Sequence, residues 1–369
     1  MPLTLNTSFD VLVVGAGIQG LLTARELRLA GASVALVERG RPGQEASWAA
    51  GGILSSLYPW RYPASILALS SWSQAEYPRL VDELKANTGI DAEWLRSGLL
   101  ILEAEEQAQA LEWAGRNQVR IESVTQAEIR SLEPALAQVP EAGLWLPDVA
   151  QVRNPRLLKA LCLDLERLGV PIHQQAQLES LVIEQGRCQG LRTRDGILKA
   201  DNLVLCTGAW TSELWLQLGP MPDIRPVRGQ MILLAGPPGL LNTISMRQAR
   251  YFVPRQDGRV LVGSTLEETG FECATTQAAR DELLQVVRER VPALAEARLE
   301  HHWAGLRPAT SQGIPYIGAH PEVEGLYINS GHYRNGLVLA PASARLLADR
   351  VLKRKPVLDP APYGLMVEH

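Results

Sequence analysis

Asp10-Val11-Leu12-Val13-Val14-Gly15-Ala16-Gly17-Ile18-Gln19-Gly20 decides the fold. Val11 to Val14 are a short apolar run, read as a buried strand. The glycines follow at once, and Leu21, Ala24 and Leu27 then mark one face of a helix running to Gly31. A second buried strand, Val34 to Val37, ends in Glu38. Each glycine answers a physical need: a tight turn, backbone approach to a pyrophosphate, and close packing of helix on strand. The helix N-terminus offers N–H groups and a positive dipole end to phosphates. Glu38, at the end of the second strand, is placed to hydrogen-bond a ribose. Glycine-rich turns alone are common, but here strand, glycines, helix, strand and acid arrive in register. The expectation is a Rossmann-type α/β domain holding an adenine dinucleotide, with Ile18, Gln19 and Arg39 beside it.

With 369 residues the chain can form two domains. It is 46% hydrophobic and 21% charged with a net charge of −4, which gives no reason to expect a nucleic-acid partner. The basic cluster Arg350, Lys353, Arg354 and Lys355 falls at the end of a predicted helix, where it complements the dipole. No apolar run reaches the length of a membrane span, and Met1 to Phe9 lacks the basic start of a secretory signal. Cys162, Cys188, Cys206 and Cys273 are far apart. Reduced thiols, no metal site and a cytoplasmic setting are the expectation.

Beyond the nucleotide loop, Ser47-Trp48-Ala49-Ala50-Gly51-Gly52 is a run of mostly small residues. It would let backbone lie against something flat, or serve equally as a helix–helix contact. A long helix is expected from Ala64 to Lys85, ending at Asn87-Thr88-Gly89. A strand at Leu95 to Leu102, a helix at Glu105 to Asn117 and a capping box at Thr125 to Glu128 begin a second region. Asn154-Pro155 opens a helix whose Leu158, Leu161, Leu165 and Leu168 form a core stripe. Asp195-Gly196 reads as a hairpin turn. The strand Leu203 to Cys206 runs into Thr207-Gly208-Ala209, again bringing bare backbone near a ligand. Arg225 to Thr265 reads as strands, and Thr276 to Arg290 as a helix.

The last third repeats the theme of the first. A strand, Leu326 to Asn329, leads through Gly331-His332-Tyr333-Arg334-Asn335-Gly336 into a helix expected from Leu337 to Leu352. One dinucleotide does not need two glycine loops. A flavin dinucleotide does, because its isoalloxazine ring has a polar edge of its own.

Three further stretches are more specific than the loop: Tyr251-Phe252-Val253-Pro254-Arg255, Trp303-Ala304-Gly305-Leu306-Arg307-Pro308, and Gly331 to Gly336. Through them the chain resembles the FAD-dependent amine and amino-acid oxidases that include D-amino-acid oxidase, sarcosine oxidase and glycine oxidase, with most likeness to the last. The resemblance implies a discontinuous FAD-binding domain (1–85, 145–222 and 304–369). It also implies an α+β substrate domain with an antiparallel sheet over the ring (86–144 and 223–303). By position, Gly15, Gly17, Gly20 and Glu38 would hold the adenosine half. Ser47, Ala49, Ala50, Gly51, Gly52, Thr207, Gly208 and Ala209 would line the flavin. Gly331, His332, Tyr333, Arg334, Asn335, Gly336 and Leu337 would supply N–H groups to its pyrimidine edge. Arg307 and Tyr251 would grip a substrate carboxylate, with Arg334 close by. Monomeric sarcosine oxidases tether FAD through a cysteine after the Arg307 motif. None stands between Cys273 and the C-terminus, so FAD is expected to be noncovalent. Leu266 falls where glycine oxidases often place an apolar wall residue.

The implied partners are a small amino acid and dioxygen, and the implied assembly is a homo-oligomer. Taken singly, Arg307 could be a surface ion-pair residue and Tyr251 could be packing. His332 could merely shape its loop, and the adjacent His301 and His302 would face opposite ways on a strand. Three readings remain open: glycine oxidase using oxygen, a D-amino-acid or sarcosine dehydrogenase passing electrons elsewhere, and a non-enzymatic dinucleotide-binding subunit. Peroxide yield separates the first two. A colourless protein would favour the third.

Overall fold

The Ser8–Val14 strand forms where side chains can be buried on both faces. Val11, Leu12 and Val13 are at most 1% exposed, and each such burial stabilises by about 1.5–3 kcal/mol. The computed structural model describes residues 8–103, 105–215, 218 and 222–365. Ser8–Val14 pairs in parallel with Val34–Val37 on one side and Gly196–Leu205 on the other. Ile172–His173 extends the sheet beyond Val34–Val37, while Leu326–Ser330 and Tyr316–Ala319 extend it beyond Gly196–Leu205. Arg187–Thr193 and Leu178–Glu184 branch from the long Gly196–Leu205 strand to complete eight strands. Helices Ile18–Leu29, Ala64–Thr88, Asn154–Arg167 and Ala340–Val351 bury their apolar stripes in one shared core against this sheet.

A second eight-stranded sheet runs in the order Arg298–Ala309, Arg225–Ala235, Arg259–Gly263, Arg250–Pro254, Ile244–Arg247, Leu99–Ile101, Ala142–Leu146, Glu122–Thr125. It is antiparallel except where Ile244–Arg247 meets Leu99–Ile101. Thr125 and Glu128 form the expected capping box, and Thr276 caps Gln277–Arg290 through Ala279 N–H. Among the described residues no helix is long and apolar enough to cross a membrane.

Several local expectations shift. The Leu95 to Leu102 strand shrinks to Leu99–Ile101. Leu203 to Cys206 is the end of a ten-residue strand, Gly196–Leu205. Thr193 pairs with Gly196, so the hairpin turns on Arg194 and Asp195. Arg307 lies within a strand, Arg298–Ala309, opposite Val227. That strand is the sheet's edge, where Pro308 is tolerated. The last helix begins at Ala340, not Leu337. A 3-10 turn at Tyr333–Asn335 precedes it, Leu339 N–H bonding Asn335 O and Ala340 N–H bonding Leu337 O. Pro341 then sits in the first helical turn, where its missing N–H is not needed.

Candidate active site

The glycine loop is shaped by close approach. Gly15 has φ +98°, and a Cβ there would lie 2.5 Å from the Cys206 carbonyl. A Cβ on Gly20 would meet the Gly15 carbonyl at 1.8 Å, so Gly20 packs helix on loop and does not line the cavity. The helix N-terminus is less open than the sequence suggests, because Ser47 Oγ accepts from Ile18 N–H at 2.9 Å. Glu38 is 8% exposed. Its two oxygens accept from Ala16 N–H (2.8 Å) and Gly40 N–H (2.7 Å), so the carboxylate braces the loop as well as facing the cavity. At the same end the Arg39 guanidinium lies 3.6 Å from the centre of the Trp210 ring and pairs with Glu45 at 3.0 Å.

From there one continuous cavity passes Gly17, Ile18 and Gln19, then Ala49 to Gly52 and Thr207 to Ala209, and reaches His332 to Leu337. Gln19 Nε2 donates to Gly336 O at 2.9 Å, tying the two glycine loops together. Gln19 Oε1, Asn329 Oδ1 and Asn335 Nδ2 are buried without a partner among the described residues, although all three residues line the cavity. Buried polar atoms are ordinarily hydrogen-bonded, so these orphans fit a polar ligand running the cavity's length. An FAD molecule supplies both the length and the polar edges. His332 is 2% exposed, and burial pushes its imidazole down to about 3. It is therefore neutral, with Nε2 3.0 Å from Ser343 Oγ.

At the far end the second sheet contributes Tyr251, Arg307 and Met231, and the Gly331 loop contributes Arg334. Arg307 Nη2 donates to Ser264 Oγ at 2.7 Å, and Nη1 to Thr265 O (3.2 Å) and Arg228 O (3.3 Å). All are neutral acceptors, and none of the described carboxylates forms an ion pair with it. Burial lowers the Arg307 guanidinium from its ordinary value, and the charge of Arg334 works in the same direction. Arg334 makes no hydrogen bond or ion pair with the described residues. Tyr251 is 7% exposed, and among the described residues its hydroxyl donates only to the Met231 thioether, at 3.8 Å. Two guanidinium groups and a phenol thus converge with no described carboxylate paired to them, an arrangement suited to a carboxylate.

The structure gathers nearly all the residues singled out in the sequence into this cavity. Gly20 and Gly331 stand behind its wall; Gly331, at φ +86°, packs against Thr310. Leu266, expected at the wall, is 50% exposed and outside the lining. Sequence reasoning missed Leu57, Tyr62, Gly229, Met231 and Ser264, which also line the cavity. One had a signal: Gly229 interrupts a strand, which marks a close approach. A Cβ there would lie 2.1 Å from Arg307 Nη2.

Residues 10–350 match the family described as FAD dependent oxidoreductase. A glycine oxidase of Pseudomonas aeruginosa is 45% identical over 96% of this chain and 98% of its own length. The bifunctional protein ThiO/ThiG of Trichormus variabilis is 32% identical over 96% of this chain and 55% of its own. Among solved structures, glycine oxidase from Geobacillus kaustophilus superposes with a TM-score of 0.93 at 30% identity, covering 98% of this chain and 99% of that one. With a nucleotide loop, a second glycine loop and a cavity running from one to the other, the chain belongs to the FAD-dependent oxidoreductase family of D-amino-acid and glycine oxidases.

Proposed function

We propose that the protein is an FAD-dependent glycine oxidase, acting also on sarcosine and small D-amino acids, with glyoxylate, ammonia and hydrogen peroxide as products. The observation that carries the reading is Arg307, a buried guanidinium in no ion pair with a described carboxylate, facing a cavity shared with Tyr251 and Arg334. Its planar fork pairs both oxygens of a carboxylate, while Tyr251 adds an uncharged donor. FAD held along this cavity would supply a two-electron acceptor for the hydride of the substrate α-carbon and a route for those electrons to dioxygen. The chain's residues supply orientation, which is most of what that transfer needs once the amine is neutral. His332 lies buried and bonded to Ser343, so no proton is assigned to it. The substrate imine is then hydrolysed or handed on. The likeness to a relative named ThiO/ThiG supports handing it on, to the thiazole of thiamine.

We further propose that 1–85, 145–222 and 304–369 hold FAD noncovalently and that 86–144 and 223–303 cover the substrate. The two separate eight-stranded sheets support two parts, with strands Ala142–Leu146 and Arg298–Ala309 of the second sheet crossing these boundaries. Among the described cysteines only Cys206 lines the cavity, which supports an untethered cofactor. A cytoplasmic homo-oligomer is proposed with the same reading. The deciding experiment is a peroxide-coupled assay of FAD-loaded enzyme with glycine, sarcosine, D-alanine and ethylamine. Flavin reduced by glycine without peroxide in air would shift the reading to a dehydrogenase, and flavin untouched by every amino acid would end it.

A further inference from the structure

Between Ser47 and Gly52 the backbone passes the middle of the cavity, and its carbonyls are gripped by distant side chains. Asn154 Nδ2 donates to Ser47 O (2.8 Å) and Trp48 O (2.7 Å). Trp303 Nε1 donates to Ala49 O at 3.1 Å, and Arg255 Nη2 to Gly51 O at 3.0 Å. Val152 N–H takes Gly52 O at 2.8 Å. The N–H groups of Gly51 and Gly52 meet no acceptor among the described residues, and both glycines line the cavity. A planar trans peptide points its N–H opposite its C=O. Each carbonyl held by the protein therefore turns the following N–H away from that anchor.

Arg255 is the unusual anchor. It is 8% exposed, and its other donor, Nη1, reaches Gln151 Oε1 (2.7 Å) and Val152 O (3.0 Å). Every partner is neutral. The nearby carboxylates, Glu93 and Asp257, are paired with Arg153 and not bonded to Arg255. A buried cation without a directly bonded anion is costly, and a neutral side chain could join these strands more cheaply. What the charge adds is a stronger bond to Gly51 O and a polarised Gly51–Gly52 peptide.

We propose that Arg255 is a positioning residue for the cofactor: through Gly51 O it fixes and polarises the Gly51–Gly52 peptide, so that the Gly52 N–H is presented to the bound isoalloxazine and favours the reduced, negatively charged ring. Trp303 does the same, more weakly, for the peptide after Ala49. The proposal rests on the flavin lying against Ala49 to Gly52, the reading given above.

The test uses FAD-loaded wild type, Arg255→Met, Arg255→Lys and Trp303→Phe. Midpoint potential is measured by photoreduction against a reference dye, and FAD affinity by reconstitution of stripped protein. Neither readout involves an amino acid, so glycine oxidation stands or falls separately. Arg255→Met is expected to prefer oxidised over reduced FAD by at least tenfold more than wild type, a fall of about 30 mV for a two-electron couple. Arg255→Lys should recover part of this, and Trp303→Phe should shift in the same direction by less. An arginine that merely joins strands would lower the melting temperature and leave the potential alone. Unchanged potentials in Arg255→Met and Trp303→Phe overturn the proposal. Should Arg255→Met fail to fold, unchanged potentials in Arg255→Lys and Trp303→Phe do so. A wild-type chain that takes up no FAD overturns the flavin reading and this proposal together.

Discussion

Replacing Arg307 with alanine removes a guanidinium whose hydrogen bonds among the described residues go only to Ser264 Oγ and two backbone carbonyls. In the free enzyme that loss should be mild, because the desolvated charge disappears along with three bonds. With substrate bound the balance reverses: the carboxylate is left buried and unpaired. Truncating one partner of such a pair costs roughly 2–5 kcal/mol, which at about 1.4 kcal/mol per tenfold is thirty- to several-thousand-fold in kcat/KM. Arg307→Lys should regain only part, since an ammonium cannot make two parallel bonds. Gly229→Ala is an independent route to the same defect: the new methyl would stand 2.1 Å from Nη2 and displace the fork without removing its charge. The assay is steady-state oxidation of glycine, sarcosine and ethylamine by FAD-loaded wild type and the three variants, with melting temperature as the folding control. Ethylamine, lacking a carboxylate, should be a poor substrate throughout and lose little in the variants. An Arg307→Ala enzyme that folds, holds FAD and oxidises glycine at near wild-type kcat/KM would refute the clamp and the amino-acid assignment with it.

Glu38→Ala should weaken FAD by about 1.5–3 kcal/mol, the scale of hydrogen bonds to charged groups, because its carboxylate braces Ala16 and Gly40. Titration of stripped protein with FAD checks this, and the loaded variant should still be reduced by substrate. Acid precipitation should release the flavin intact into the supernatant; flavin retained on the chain would reveal a tether. Activity should rise with pH as the substrate amine loses its proton, and His332→Gln should leave that rise in place. The same histidine makes the fold acid-sensitive. Its imidazole is lowered from 6.5 to about 3 by burial, so on acidification the unfolded chain takes up a proton that the fold refuses. Stability should therefore fall as pH drops from 6.5 toward about 3, and melting curves across that range should fall less steeply for His332→Gln.

Local pattern carried much of this protein. The buried strand, glycine loop and helix at Val11 to Leu29 are legible because burial, turn geometry and capping act within a few residues. For the same reason Thr125 to Glu128 reads as a capping box, and Gly89, at φ +72°, ends the Ala64–Thr88 helix with its N–H on Lys85 O. The segments that meet at the cavity were legible too, since chemistry-bearing residues stand out in short runs around Gly331 and Arg307. What only the tertiary structure decided are bonds between residues far apart in the chain. Asn154, expected simply to open a helix, spends its amide on Ser47 O, 107 residues away. Arg255 reaches Gly51 across 204 residues and Trp303 reaches Ala49 across 254. No periodicity encodes such pairs; they arise when two sheets close on each other and each buried carbonyl must find a donor. Arg298–Ala309 follows the same logic. Local pattern did not show how far it extends; pairing along Arg225–Ala235 makes it a strand that aims Arg307 into the cavity.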